Sequence, residues 1–338
     1  MPDPAFEGFT LKTAPGPASN SRYSPLHSLV VLSHDIERDN VVELREPVDV
    51  VVVSYESRDE LRNCVEPLSR HPQLSVVVVD NASRDGSLES IRDLDVNAIG
   101  LERNTGFAHG CNRGWREGRA PHVLFVNPDA RIGAASIRLL VDAAREGATA
   151  AAVPRAVGTD GHLDFSLRRF PRLFSTYAQA LFLHRLFPAA AWTDELVREP
   201  EAYTTPHDVE WASGVCVLIR RQVLEFLDGW DEGFFMYGED IDLCKRINDA
   251  GYRIRFVPNA VVEHRGGASA PRPSLLPTLA ASRVRYAQKH RGTPTRALER
   301  AGIILGALTH VVLGRRSTRG GHARALAVAA GLRRAERP

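Results

Sequence analysis

The sequence predicts an α/β fold: a mainly parallel sheet flanked by helices. Continuous apolar runs, VDVVVVSY at 48–55, LSVVVVD at 74–80 and HVLFVN at 122–127, have the pattern of strands covered on both faces. Segments of helical period separate them, as βαβ units require. The runs also stop at polar residues: Ser54-Tyr55-Glu56, Asp80-Asn81 and Asn127-Pro128-Asp129. Polar groups therefore collect along the carboxyl ends of the strands, where open α/β sheets bind ligands.

Element by element, residues 1–28 are rich in Pro, Ser and Gly and read as disordered. Residues 29–32 and 41–44 suit a short extra hairpin, so 1–46 is expected to be a disordered or accessory N-terminal segment. After the strand at 48–55 come a helix at 59–70, the strand at 74–80 and a short helix at 87–93. A strand at 96–101 then ends at Arg103-Asn104, and a helix follows at 106–118. The strand at 122–127 stops at Pro128, which cannot donate to a ladder, and leads to a helix at 136–146 and a strand at 148–153. Residues 155–207 are less regular, with a helix-like stretch at 174–187. Strand patterns return at 209–221, 252–258 and 261–264. The helix opening at Glu239 places Ile241, Cys244 and Ile247 at helical spacing. These elements divide the chain into 1–46, a domain at 47–270 in two halves (47–153 and 154–270) and a basic helical extension at 271–338.

Composition narrows the function. An apolar fraction of 43% and a charged fraction of 25% over 338 residues are ordinary for a globular protein with a sizeable core. The four cysteines form no C-x-x-C pair, which argues against a zinc cage or disulfide framework and for a reduced, cytoplasmic setting. The first twenty residues have no apolar core of the kind a secretion signal carries. Neither G-x-G-x-x-G after the first strand nor G-x-x-x-x-G-K-[ST] occurs, so a dinucleotide dehydrogenase and a P-loop NTPase are poorly supported.

Two groups of residues carry the expected chemistry. In GWDEGFFMYGEDIDLCKRINDA (229–250), Glu239 and Asp240 stand at a helix start behind four aromatic residues. A carboxylate walled by aromatics gains a raised pKa and can serve as a general base. Asp129, after a strand, offers a carboxylate to a divalent cation, since Mg²⁺ or Mn²⁺ binds through one or two protein carboxylates plus substrate phosphate oxygens. His264, closing another strand, is a further ligand candidate, of a type that suits Mn²⁺ better than Ca²⁺.

The ordered series VVVVSYESRDELRNCVEPL, VVVVDNASRDGS, RNTGFAHGCNRG, FVNPDA, WASGVCVLIRR, FFMYGEDIDLCKRINDAGYRI and FVPNAVVEH resembles the inverting family 2 glycosyltransferases of the GT-A fold. It is similar in particular to their rhamnosyltransferase-like branch, over roughly residues 48–266. The resemblance implies a nucleotide-sugar donor, a divalent metal (Mg²⁺ or Mn²⁺) on its diphosphate, and single displacement with inversion. By the same resemblance Asp80 contacts the nucleotide base, Tyr55 and Glu56 form the first nucleotide loop, and Asn104, Gly106 and Asn112 hold the donor. Asp129 matches the metal-binding acid, His264 the metal-side histidine and Asp240 the general base, with Glu239 as runner-up. Asn127 stands on the donor side where many relatives have a first Asp, which leaves the metal one carboxylate fewer. Trp211, Trp230 and Tyr237, with Gly214, are acceptor-side candidates; stacking on a sugar and core packing explain the aromatic residues about equally.

The expected activity is transfer of a sugar, dTDP-rhamnose being the first donor, to a hydroxyl of a glycan or polyprenyl-diphosphate-linked acceptor in cell-envelope polysaccharide synthesis. A catalytically silent sugar-nucleotide-binding scaffold is the alternative, against which intact Asp129 and Asp240 argue. From Arg283 onward thirteen Lys/Arg face two acids, around the uncharged run AGIILGALTHVVLG at 301–314. That run is shorter than the roughly 20 residues a bilayer span needs. Peripheral contact of 283–338 with the inner face of the plasma membrane and packing on the core stand as equal expectations. Nucleic acid is not expected, because the tail lacks interleaved aromatics. The sequence sets no oligomeric state.

Overall fold

A computed structural model describes residues 42–187, 190–265 and 273–335; the segments at 1–28 and 29–32 lie outside them. The chain runs β1 (Val48–Ser54), α1 (Arg58–Ser69), β2 (Leu74–Asp80), β3 (Asn97–Gly100), α2 (Phe107–Trp115) and β4 (His122–Val126). It continues through β5 (Ala130–Ile132), α3 (Ala134–Ala144), β6 (Thr149–Gly158), β7 (Leu167–Arg168), α4 (Leu173–Ala180) and α5 (Leu183–Leu186). Then come β8 (His207–Val209), β9 (Trp211–Ala212), β10 (Cys216–Arg220), α6 (Arg221–Phe226), α7 (Glu239–Asp249) and β11 (Arg253–His264). Three helices follow: α8 (Leu276–His290), α9 (Thr293–Leu313) and α10 (Arg316–Ala329).

The main sheet has the order β3-β2-β1-β4-β10-β6-β11-β5, with β8 also on β11, while β7 and β9 form a separate ribbon. Every residue of β1 is buried because helices cover both faces. Val48, Val50 and Val52 join one apolar layer, and Val51 and Val53 join the other. Hence the strand is continuously apolar rather than alternating. Parallel registers pair Ser54 with Asp80 and Val52 with Val126, so the polar ends of β1, β2 and β4 share one rim. At the opposite end Asp49 is buried and accepts from Arg221 Nη2 at 2.5 Å and from the Ala120 N–H at 2.8 Å. This pair fastens α6 to the sheet.

The sheet is mostly parallel, with three departures. β10 runs antiparallel between β4 and β6, and β5 and β8 pair antiparallel with β11. The single strand expected over 209–221 is three pieces, each with a different partner, because the chain leaves β11, joins the β7 ribbon and then enters the main sheet. The strands expected at 252–258 and 261–264 are one strand, irregular between Val257 and Val261. The helix expected over 174–187 breaks at Phe182, whose φ is +58°. Residues 42–44 are not a strand, although Leu44 is buried and exchanges two hydrogen bonds with the Gln73 amide.

The basic extension is tied to α7 and α4. Asp242 of α7 is fully buried and is met by Arg246, by Lys289 and, at 2.7 Å, by His290 of α8. α9 lies along α4: a Cβ on Gly302 would stand 2.9 Å from Thr176 Cγ2 and 3.0 Å from the Tyr177 ring. Only glycine allows that approach. One side of the 301–314 run thus packs on protein, while Leu308 and Val312 on another side remain exposed.

Candidate active site

The rim at the ends of β1 and β2 is held by its own hydrogen bonds. Asp80 accepts from the Ser83 N–H at 2.8 Å and the Ser83 hydroxyl at 2.6 Å. Glu56, at φ +50°, accepts from the Arg84 N–H, and its own N–H donates to Ser83 Oγ. Asn81 reaches over to the loop before α2, donating to the Gly106 carbonyl at 3.3 Å and accepting from the Thr105 N–H at 3.2 Å. Asn104 Oδ1 accepts the Gly106 N–H at 3.0 Å. Tyr55, Glu56, Asp80, Asn104 and Gly106 therefore lie along one ledge, with Tyr55 exposed at its edge.

Next to this ledge a cavity of about 790 Å³ holds the acids. Its floor includes Asn127, Asp129 and His264 on one side and Gly214, Glu239 and Asp240 on the other. The chain turns sharply into α7 through Tyr237 (φ +65°) and Gly238 (φ +129°), the second a conformation open to glycine alone. The two carboxylates thus enter the cavity on the first turn of a helix. Burial first, and then the charge of Asp240, pushes Glu239 up to about 8. Its Oε2 is buried with no hydrogen-bond partner among the described residues. Burial also raises Asp240, but N–H donors from Ile241 (2.8 Å) and Gly214 (3.3 Å) and the nearby Arg168 cation act in the opposite sense. Of the two, Asp240 is the better supported as an anion, and Glu239 holds its proton at neutral pH.

Asp129 Oδ2 stands 3.2 Å from His264 Nε2, and His264 Nδ1 stands 3.4 Å from Asp164 Oδ2. Burial alone would lower His264; the hydrogen bonds to these two carboxylates outweigh it and push the imidazole up to about 9. Asp129 is held below the ordinary carboxylate range by the same contact, against the effect of burial. Two donor atoms bound side by side on one octahedral ion, each at about 2.1 Å, sit about 3 Å apart. The separation of Asp129 from His264 therefore fits a shared Mg²⁺ or Mn²⁺. Asp164 occupies the place of the carboxylate that orients a metal-bound imidazole from behind. Among the described residues no group of three or more His, Cys, Asp or Glu forms a complete cage. The donor set suits an ion that takes its remaining oxygens from phosphate and water.

Two sequence candidates are placed elsewhere. Asn112 donates to the Trp230 carbonyl and to Glu232 Oε1, and accepts from the Trp230 N–H and from Trp115 Nε1. All four of its hydrogen-bonding positions are spent within the protein, so it braces the 229–232 loop and does not face a donor. Trp230 is core, packed edge-on against Phe107 and Phe125. Trp211, Gly214 and Tyr237 do line the cavity.

Sequence reasoning missed Asp164 and Arg168. Both belong to HLDFSLRRFP (162–171), whose acid, arginines and aromatics stand together without any period. Arg168 sits opposite Trp211 in the β7–β9 ribbon, with its guanidinium 5.5 Å from the indole centre. Its Nε is buried and has no hydrogen-bond partner among the described residues. A cation in a cavity rich in carboxylates is available to an anionic ligand.

Comparison with known proteins gives the family of the chain. The family described as glycosyltransferase-like family 2 matches residues 46–288. The N-acetylglucosaminyl-diphospho-decaprenol L-rhamnosyltransferase of Mycobacterium tuberculosis is 32% identical over 239 residues, covering 66% of this chain and 77% of the relative. Rhamnosyltransferase WbbL of Escherichia coli is 26% identical over 226 residues, covering 62% and 80%. The structure of mannosyltransferase PcManGT from Pyrobaculum calidifontis, in complex with GDP-Man and Mn²⁺, shares the fold. Its TM-score is 0.50 at 20% identity, over 87% of this chain and 77% of that one.

Proposed function

The chain belongs to glycosyltransferase-like family 2, and from that premise we propose that it moves rhamnose from dTDP-rhamnose to a hydroxyl of a polyprenyl-diphosphate-linked glycan, with inversion. That it is a rhamnosyltransferase-like glycosyltransferase follows from its family and relatives. The donor, the acceptor and the metal are this reading's own. The observation that carries it is the single cavity that joins Asp240 to the Asp129–His264 pair. Support for the acceptor comes from a relative named for a diphospho-decaprenol acceptor. Such an acceptor would set the enzyme to work at the cytoplasmic membrane face, in cell-envelope synthesis.

In this reading the nucleotide lies on the ledge of Tyr55, Glu56 and Asp80, with its diphosphate toward Asn127 and Asp129. Asp240 takes the proton of the acceptor hydroxyl as that oxygen bonds to the anomeric carbon. The bond from that carbon to the diphosphate oxygen breaks, and the nucleoside diphosphate leaves. A hydroxyl is a poor nucleophile at neutral pH, so a carboxylate raised by burial but still ionised suits the task. Asp129 and His264 would hold a divalent ion, which when bound supplies positive charge to the leaving diphosphate. Arg168 adds a fixed cation on the acceptor side of Asp240.

The test is a panel of nucleotide sugars, scored for nucleoside diphosphate release with and without Mn²⁺, and for the anomeric configuration of any product by NMR. Release from dTDP-rhamnose above all other donors, with inversion, is expected. Preference for a UDP-hexose would replace the donor, and retention would overturn the displacement.

A further inference from the structure

We infer that the outer face of α4 and α9 docks on an anionic membrane surface. This rests on the lipid-linked acceptor proposed above and names the surface through which the protein reaches it. Large apolar side chains are exposed on both helices: Phe174 (77%), Val312 (60%) and Leu308 (46%) among them. Scattered exposed apolar residues need no explanation, but a contiguous patch does.

The contiguity follows from the packing of α4 on α9. Tyr177 Oη donates to the Leu298 carbonyl at 2.9 Å, and Thr309 Oγ1 donates to the Ala180 carbonyl at 2.7 Å. The contacts advance together along both helices, so the two run in the same direction. On α9 the contact line is Gly302, Gly306 and Thr309, and Ala301, Leu308 and Val312 lie about 90° round from it at 100° per residue. On α4 the contact line is Thr176, Tyr177 and Ala180, and Phe174 and Leu181 lie about 100° round in the opposite sense. For parallel neighbours these opposite turns bring both stripes to the same side. Tyr177 bridges them.

Charge selects the partner. Among residues 300–335 there are seven arginines and no Asp or Glu. Arg315, Arg316 and Arg319 are exposed just beyond the C-terminal end of the α9 stripe, and Arg185 is exposed on α5. An apolar strip rimmed by cations fits the interface of an anionic bilayer, to which basic residues near the surface are attracted. No helix among the described residues is long and apolar enough to cross a membrane, so the contact is with the surface. The inner side of α4, α5 and α9 also lines the cavity: Gln179, His184 and His310 extend its wall from the one that holds Asp240.

Deleting α9 is an unsuitable test, because Glu299 is buried against Arg291 and Gly302 is packed on α4. The intact protein and two surface variants, Leu308→Glu/Val312→Glu and Arg315→Ala/Arg316→Ala, should instead be sedimented with vesicles. Phosphatidylcholine vesicles with and without phosphatidylglycerol are the probes, at low and high salt. The wild type should bind only the anionic vesicles, and less at high salt. Each variant should bind at least about tenfold more weakly, keep its melting temperature, and keep its rate on a short soluble acceptor. Failure of the wild type to bind anionic vesicles at low salt overturns the inference, and so does a Leu308→Glu/Val312→Glu variant that binds like wild type. A wild-type dimer that this variant converts to monomer would assign the face to a second copy of the chain and likewise overturn it. Vesicle binding is read without donor or acceptor, so a different outcome of the donor panel leaves this result standing.

Discussion

The backbone N–H of Gly214 donates to Oδ2 of Asp240 across 3.3 Å, joining the turn before β10 to the first turn of α7. The bond is one of the contacts that favour the ionised form of Asp240. Asp240 receives the N–H groups of Ile241 and Gly214 and is near the Arg168 cation, whereas Glu239 Oε2 is buried without a hydrogen-bond partner among the described residues. Like charges so close cannot both persist in a dry site: burial and the Asp240 charge raise Glu239 despite its own backbone hydrogen bonds, while the N–H donors and the Arg168 cation favour the ionised form of Asp240.

Asp240→Asn should therefore lower transfer by about 10²–10⁴-fold, the usual scale for a lost general base, with nucleoside diphosphate binding unchanged in calorimetry. Glu239→Gln should keep most of the activity, since the amide resembles the protonated acid already present. It should also flatten the pH dependence of stability. The folded protein holds a proton on Glu239 up to about pH 8 that the unfolded chain releases near the ordinary carboxylate range. Wild-type stability thus falls as pH rises through that window. A collapse of activity in Glu239→Gln with Asp240→Asn active would exchange the two roles.

Asp129→Ala and His264→Ala should each abolish the enhancement of nucleoside diphosphate binding by Mn²⁺. Asp164→Asn should weaken it by about 10–100-fold, the scale for a group that orients a metal-bound histidine. Without metal, His264 stays protonated up to about pH 9, so Mn²⁺ binding at pH 7.5 should release a proton and weaken as pH falls. Calorimetry in buffers of different ionisation enthalpy reads that proton directly. Equal Mn²⁺ enhancement in all three variants would exclude this pair as the metal site.

At the far end of the sheet, Asp49→Asn should destabilise the fold by about 3 kcal/mol, because it leaves the mostly buried Arg221 guanidinium beside a neutral group. Asp49 is 2% exposed and is Arg221's carboxylate partner; the arginine's other bonds go to the Ala120 and Trp115 carbonyls. Urea unfolding measures the change, and the rate per folded molecule should stay at the wild-type value. A loss below about 1 kcal/mol would show that water replaces the carboxylate there.

The residues that announced themselves in the sequence are those whose role is local. β1, β2 and β4 are buried on both faces and so read as unbroken apolar runs. Their polar ends and the Gly-Glu-Asp turn are punctuation that a single segment can show. What stayed hidden depends on partners distant in the chain. β10 enters the sheet antiparallel between β4 and β6, and no period within Cys216–Arg220 can reveal its neighbours. Arg168 belongs to a two-residue strand whose pairing with Trp211 comes wholly from tertiary contact. Asn112 and Trp230 carry polar and aromatic groups fit for a ligand, yet they are used up by each other and by Phe107 and Phe125. Residue type alone does not separate those uses.

Arg168 supplies the last prediction. Its cation favours the ionised form of Asp240, against the burial that raises it. Removing the cation should therefore raise the pKa of the base further and move the acid limb of the pH–rate profile to higher pH. Arg168→Gln should show that displacement, with a rate loss that approaches about tenfold for each unit the limb moves at pH values below the limb and is smaller at pH 7. Arg168→Lys should recover part of the limb's position, because it restores the charge, and less of any loss in acceptor affinity, because an ammonium cannot form the planar two-point contact of a guanidinium. Measuring kcat and KM across pH for both variants separates these effects. An unshifted acid limb in Arg168→Gln, with only KM for the acceptor raised, would assign Arg168 to acceptor binding alone and leave the ionisation of Asp240 to the N–H groups of Gly214 and Ile241.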